Sequence, residues 1–150
     1  MCRFVAYLGE PLYLEDLIAK PRHSLMQQSL RAEEAKTVTN GDGFGIGWYG
    51  DRPEPGVYRE VMPAWSDDNL LALSGTLRSR LFFAHVRAAT AGGIARSNCH
   101  PFRRGRWLFM HNGQIGGYGR LRRRLEARLS DSLYAARRGA TDSELLFLLA

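Results

Sequence analysis

The sequence predicts an α+β domain, and three observations carry the prediction. Short apolar runs, alternating or continuous, at residues 3–8, 57–62, 80–87 and 106–111 read as strands. Apolar stretches behind an acidic or hydroxyl cap, after Asp67 and after Thr141, read as helices. A length of 150 residues suits one domain, enough to bury roughly 70% of the surface its unfolded chain exposes.

Met1-Cys2-Arg3-Phe4-Val5-Ala6-Tyr7-Leu8-Gly9 opens a strand, and Gly9-Glu10-Pro11 is expected to turn the chain. Residues 14–18 form a short helical candidate stopped by Pro21, while residues 24–35 fit a surface loop or a short helix equally well. Glycine then occupies positions 41, 43, 45 and 47, which frees one face of a strand for close approach by another backbone or a ligand. Gly45-x-Gly47-x-x-Gly50 formally matches a dinucleotide fingerprint, but Pro53 and Pro55 exclude the helix that the fingerprint needs. A tight turn at Asn40-Gly41 followed by a closely packed strand is the better reading. A partner strand and a helix starting near Asp67 come next.

Residues 80–87 form the clearest buried strand, and Arg87 at its exit suits either a surface ion pair or bidentate capture of a carboxylate. Asn112-Gly113 suits a type I′ hairpin turn or, alternatively, the donors of an oxyanion hole. Leucines at 121, 125, 129 and 133 trace one stripe of an amphipathic helix, which places most of the neighbouring arginines in solvent. Thr141-Asp142-Ser143-Glu144 reads as a capping box. The helix dipole explains Asp142, which is also a carboxylate able to hold an ammonium group.

Composition narrows the class. Apolar residues at 45% and charged residues at 24% are ordinary for a globular chain, and no apolar run is long enough to span a bilayer. Without a signal-peptide layout at the N-terminus, the expected location is the cytoplasm. Cys2 and Cys99 are too few for a disulfide framework, so both are expected as free thiols. The net charge of +6 raises nucleic acid as a partner, although Lys20 and Lys36 are the only lysines among the basic residues.

Cys2 on its own is a small hydrophobe at a strand start. If Met1 is removed, it carries both a thiol and the α-amine that could act as its base. Taken in order, Cys2, the His85-Val86-Arg87 exit, His111-Asn112-Gly113 and Thr141-Asp142-Ser143-Glu144 resemble class-II glutamine amidotransferases of the N-terminal-nucleophile hydrolase superfamily. The resemblance spans the chain through Asn40-Gly41-Asp42-Gly43-Phe44-Gly45. It points to the stand-alone group that includes the ergothioneine-pathway γ-glutamyl amidases.

The resemblance implies a four-layer αββα sandwich of two antiparallel sheets. Residues 1–150 would be the N-terminal portion of that domain, since the family fold continues past the position of Asp142. It implies Cys2 as nucleophile with its α-amine as base, Asn112 and Gly113 as oxyanion hole, Arg87 for the substrate α-carboxylate and Asp142 for its α-ammonium. Thr90 and His100 match positions lining the pocket. The expected reaction releases glutamate from glutamine or another γ-glutamyl amide, with no cofactor and no metal. A synthase or acceptor domain is a candidate recipient of ammonia, self-association a candidate assembly, and no membrane partner is expected.

Two other readings stand beside it. The arginines between positions 120 and 138 could form a nucleic-acid-binding surface, with salt-sensitive affinity. Cys99-His100 could be a thiol dyad, but neighbouring residues of a strand point to opposite faces.

Overall fold

The computed structural model describes residues 2–30, 41–89 and 93–150. Its main sheet has the order β1-β4-β2-β3 and is antiparallel throughout: β1 is Arg3–Tyr13, β2 Phe44–Trp48, β3 Gly56–Glu60 and β4 Arg78–Val86. Because side chains alternate across a strand, the register sorts residues onto two faces. Phe44 opposes Val86, Ile46 opposes Ala84, and Val5 and Tyr7 oppose Ala84 and Phe82 from the other side. That face is the hydrophobic core. Leu14, Ile18, Leu25, Ala64 and Leu70 cover it, brought there by helices α1 (Glu15–Ile18), α2 (Leu25–Leu30) and α3 (Asp68–Thr76) and the short turn before α3. Asp67 fixes the start of α3 by accepting a hydrogen bond from the Leu70 amide at 2.8 Å, and Tyr58 Oη donates to the same carboxylate.

The opposite face carries His85, Gly45, Gly47 and Arg59 in facing positions of β4, β2 and β3. Here the alternating glycines have their use. A Cβ at Gly45 would run into the His100 carbonyl oxygen, and one at Gly47 would lie 2.7 Å from Pro101 Cγ and 2.9 Å from Leu108 Cδ1. A second backbone layer therefore seats directly on the bare strip. It comprises the segment through His100-Pro101 and the two-stranded antiparallel sheet of β5 (Phe102–Arg104) and β6 (Trp107–Phe109). Arg59 Nη1 donates to the Cys99 carbonyl at 3.1 Å and pins the same segment. Helices α4 (Tyr118–Glu126), α5 (Asp131–Ala135) and α6 (Asp142–Leu149) follow, and Phe147 of α6 stacks on Phe109 of β6 at 5.4 Å.

The mixed architecture with two antiparallel sheets agrees with the sequence reading, with four local differences. The chain does not turn at Gly9-Glu10-Pro11. β1 continues to Tyr13 through a register shift between Leu8 and Leu12, which an edge strand tolerates at a proline. The single leucine stripe from 121 to 133 is broken into α4 and α5, because Ser130 caps a new helix by accepting from the Leu133 amide. Only half of the capping box forms: Thr141 Oγ1 accepts from the Glu144 amide, while the Glu144 carboxylate accepts from the Arg138 and Gly139 amides. Asn112-Gly113 is no type I′ turn, since that turn needs positive φ at both positions and neither has it. Asn40 lies outside the described residues. No helix among the described residues is long and apolar enough to cross a membrane.

The bare strip makes a stability prediction. Gly45→Ala should lower stability by about 1–3 kcal/mol in urea denaturation, since a backbone carbonyl stands in its way. Gly50→Ala, where an added Cβ meets nothing within 4 Å, should stay within about 0.5 kcal/mol of the parent.

Candidate active site

β4 ends beside the start of β2, and this junction builds the first wall of the site. The Arg87 amide donates to Gly43 O at 2.8 Å, and the Asp42 amide returns a bond to Arg87 O at 3.1 Å. Asp42 also braces the next residues, because its Oδ2 accepts from the Ala89 amide at 2.7 Å. The brace holds the chain as it leaves β4, and Cys2 lies alongside. The Ala88 amide donates to Cys2 Sγ at 3.3 Å, and Sγ lies 3.4 Å from Ala88 O, where a protonated thiol donates.

The second wall comes from the loop after β6 and the first turn of α6. Asn112 Nδ2 donates to the Cys2 carbonyl at 3.0 Å, tying the loop to the N-terminal strand. Asp142 is buried at the start of α6 and accepts from the Ile115 amide through Oδ2 at 2.6 Å and from the Ser143 amide through Oδ1 at 2.9 Å. His111 Nδ1 and Ser143 Oγ are hydrogen-bonded at 2.9 Å. Between the walls is a cavity of about 270 Å³ lined by Cys2, Arg87, His100, Asn112, Gly113 and Asp142, together with His85, Ala88, Asn98, His111, Gln114, Thr141 and Ser143.

Six of the seven residues singled out in the sequence thus line one cavity, although Cys2 and Asp142 are separated by nearly the whole chain. The seventh, Thr90, lies outside the described residues. Arg87 is 4% exposed, so the surface ion pair is not its setting; it brings a positive charge to a mostly buried wall, with Asp142 supplying the negative one.

The cavity also holds a neutral aromatic patch. The His85 and His100 rings lie 4.5 Å apart at a tilt of 31°, and His100 packs on Phe102 at 4.5 Å. Burial pushes the His100 pKa down to about 4, helped by the neighbouring His111 and Arg87 charges. Burial also drives His85 well below the ordinary histidine value, with His100 and Arg87 adding to the effect. Both are therefore uncharged near neutral pH.

Cys99 has a different setting from Cys2. It is fully buried, burial raises its pKa, and its thiol donates toward Glu60 O and Ala95 O at 3.5 and 3.6 Å. It does not line the cavity, so the Cys99-His100 dyad is not assembled. Both cysteines are free. Within the arginine-rich segment Arg122 pairs with Glu126, and Arg137 pairs with Glu126 and donates to Tyr118 Oη, while Arg120, Arg123, Arg124, Arg128 and Arg138 are exposed.

Sequence reasoning did not find Asp42, Ala88, Ser143 or the role of His111. Ala88 acts through its backbone, which no side-chain motif records. Asp42 sits within the quoted glycine-rich motif, and its carboxylate among flexible neighbours was the available signal.

Residues 17–149 match the family model for class-II glutamine amidotransferases, and the chain belongs to that family. It is 38% identical over 159 aligned positions to the Saccharomyces cerevisiae protein named "Probable glutamine amidotransferase DUG3", covering 99% of this chain and 44% of that one. It is 39% identical over 117 positions to the γ-glutamyl-hercynylcysteine sulfoxide hydrolase of Mycolicibacterium smegmatis, covering 77% of this chain and 52% of the relative. Among solved structures, a class-II glutamine aminotransferase domain protein from Silicibacter pomeroyi superposes with a TM-score of 0.70 at 40% identity, covering 99% of this chain and 53% of that one. The chain spans about half the length of these relatives.

The buried imidazoles make stability pH-dependent. A histidine with a folded pKa of about 4 and an unfolded one of 6.5 binds its proton more readily when unfolded. Its contribution is complete above about pH 6.5, declines as pH falls, and is gone below about pH 4; this spans roughly 3 kcal/mol. Denaturation midpoints should decrease as pH is lowered from 7 to 4, and His100→Phe should flatten the slope.

Proposed function

We propose that this chain carries the amide-cleaving site of its family and hydrolyses a γ-glutamyl amide through a Cys2 thioester. The observation that carries this reading is the shared cavity of Cys2, the Arg87 guanidinium and the Asp142 carboxylate. A free glutamyl head group bears one carboxylate and one ammonium, and the cavity bears one partner for each. With Met1 removed, Cys2 carries an α-amine beside its thiol; in model peptides an α-amine titrates at about 7.7 to 8.0 and a cysteine thiol at about 8.5, so proton exchange between two such groups near neutral pH is easy. No histidine base is required, in keeping with the neutral His85 and His100.

The thiol proton passes to the α-amine, and Sγ attacks the γ-carbonyl carbon. The charge that develops on oxygen is held by the Asn112 side chain and the Gly113 amide. Collapse expels the amine, which takes the proton back from the α-ammonium, leaving the γ-glutamyl thioester. Water activated by the same α-amine adds to the thioester, and glutamate leaves as the thiol is restored. His100, with Thr90, would line the pocket beside the head group. The names of the relatives favour glutamine and γ-glutamyl conjugates as substrates. The architecture proposed is the four-layer αββα sandwich, with α1–α3 outside the main sheet and α4–α6 outside β5–β6. Residues 1–150 would form part of one such domain, with any ammonia-accepting synthase or second copy as partners.

Incubation with glutamine and a panel of γ-glutamyl amides tests the reading. Cys2→Ala should lower glutamate release by roughly a thousandfold or more, and undiminished release would refute it. Asn112→Ala should reduce kcat by about a hundredfold to a thousandfold. Intact mass of active protein should show Met1 absent; full activity with Met1 retained would exclude the α-amine as base.

A further inference from the structure

Two bonds flank the oxyanion loop, and both run to the same turn of α6. On the near side, His111 Nδ1 and Ser143 Oγ are 2.9 Å apart; on the far side, the Ile115 amide donates to Asp142 Oδ2 at 2.6 Å. The three residues between these anchors, Asn112, Gly113 and Gln114, belong to no helix or strand and are exposed. Such a segment keeps one geometry only if something opposes its conformational entropy. The His111 ring adds a steric support, because a Cβ on Gly113 would lie 2.8 Å from His111 Nε2. The ring that bonds Ser143 thus lies directly against Gly113.

We propose that His111 and Ser143 are positioning residues that, with the Asp142 bond to Ile115, clamp the Asn112–Gly113 donors onto the first turn of α6. The clamp rests on the reading of the cavity given above. It explains why Ser143 is buried at a helix start where Thr141 already supplies the cap. It also links the two ends of the substrate site. The carboxylate that meets the ammonium group spends one lone pair of each oxygen on the backbone and keeps further acceptor capacity for a ligand. Ammonium capture at Asp142 and oxyanion geometry at Gly113 therefore share one rigid turn, and loosening that turn affects the chemical step more than the initial binding.

The test uses steady-state kinetics and amide hydrogen exchange on the same variants. Ser143→Ala should lower kcat for glutamate release about tenfold to a hundredfold with KM changed less than about threefold, because the lost bond acts on donors used in the transition state. His111→Phe, which keeps a ring against Gly113 but cannot bond Ser143, should behave alike. The double variant should be no worse than either single, the sign of a shared interaction, and Ser143→Thr, which retains a hydroxyl, should recover activity to within about threefold. Exchange at residues 112–115 should quicken in Ser143→Ala while residues 145–149 keep their protection. Unchanged exchange at 112–115, losses that simply add, or a fall in affinity alone would overturn the clamp. If the parent protein releases no glutamate, the catalytic reading fails separately, and the exchange measurement still decides whether the clamp exists.

Discussion

The structure depends on a strip without side chains. Gly45 and Gly47 leave β2 bare on one face, and the His100-Pro101 backbone and Leu108 settle into the space. No larger residue could stand there without pushing the second layer off the sheet. With that layer seated, Asn98 and His100 face the cavity beside His85 and Arg87, and β6 delivers the chain to His111 and Asn112. The alternation of glycine and apolar residues thus does two jobs: Phe44 and Ile46 fill the core, while the glycines between them admit the other half of the site.

The cavity's electrostatics follow from what is charged and what is kept neutral. Arg87 and Asp142 stand as opposite charges in a largely buried setting, where interactions are less screened than in water. His85 and His100 are as deeply buried, yet burial holds them neutral, so they shape the wall without cancelling either charge. The two thiols are separated by the same logic. Cys99, fully buried with its thiol directed at carbonyl oxygens, is held protonated by its burial. Cys2 faces an amide donor and the open cavity.

What was legible in the sequence was local. β4 declared itself by a run of apolar residues between arginines, α3 and α6 by their caps, and the need for close packing at β2 by glycine spacing. The individual site residues carried weak signals that only their order along the chain made specific. Interactions created by the tertiary fold were not legible. The Asp42 brace on Ala89, the Ala88 amide on Cys2 and the Ser143 bond to His111 each join segments distant in sequence, and their donors or acceptors are backbone groups or residues common in turns. The break between α4 and α5 was missed for the opposite reason. A leucine stripe of helical period ran across Ser130, whose capping bond outweighed the continuing pattern.

The central claim is that Cys2 is the nucleophile in a pocket that recognises a free glutamyl head group. The most direct measurement is covalent trapping with a glutamine analogue bearing a diazoketone in place of the amide, read by intact mass and peptide mapping. The account predicts one adduct per chain on Cys2, protection by excess glutamate, and no labelling of Cys99. Labelling at Cys99, or labelling of Cys2 that glutamate does not slow, would contradict it.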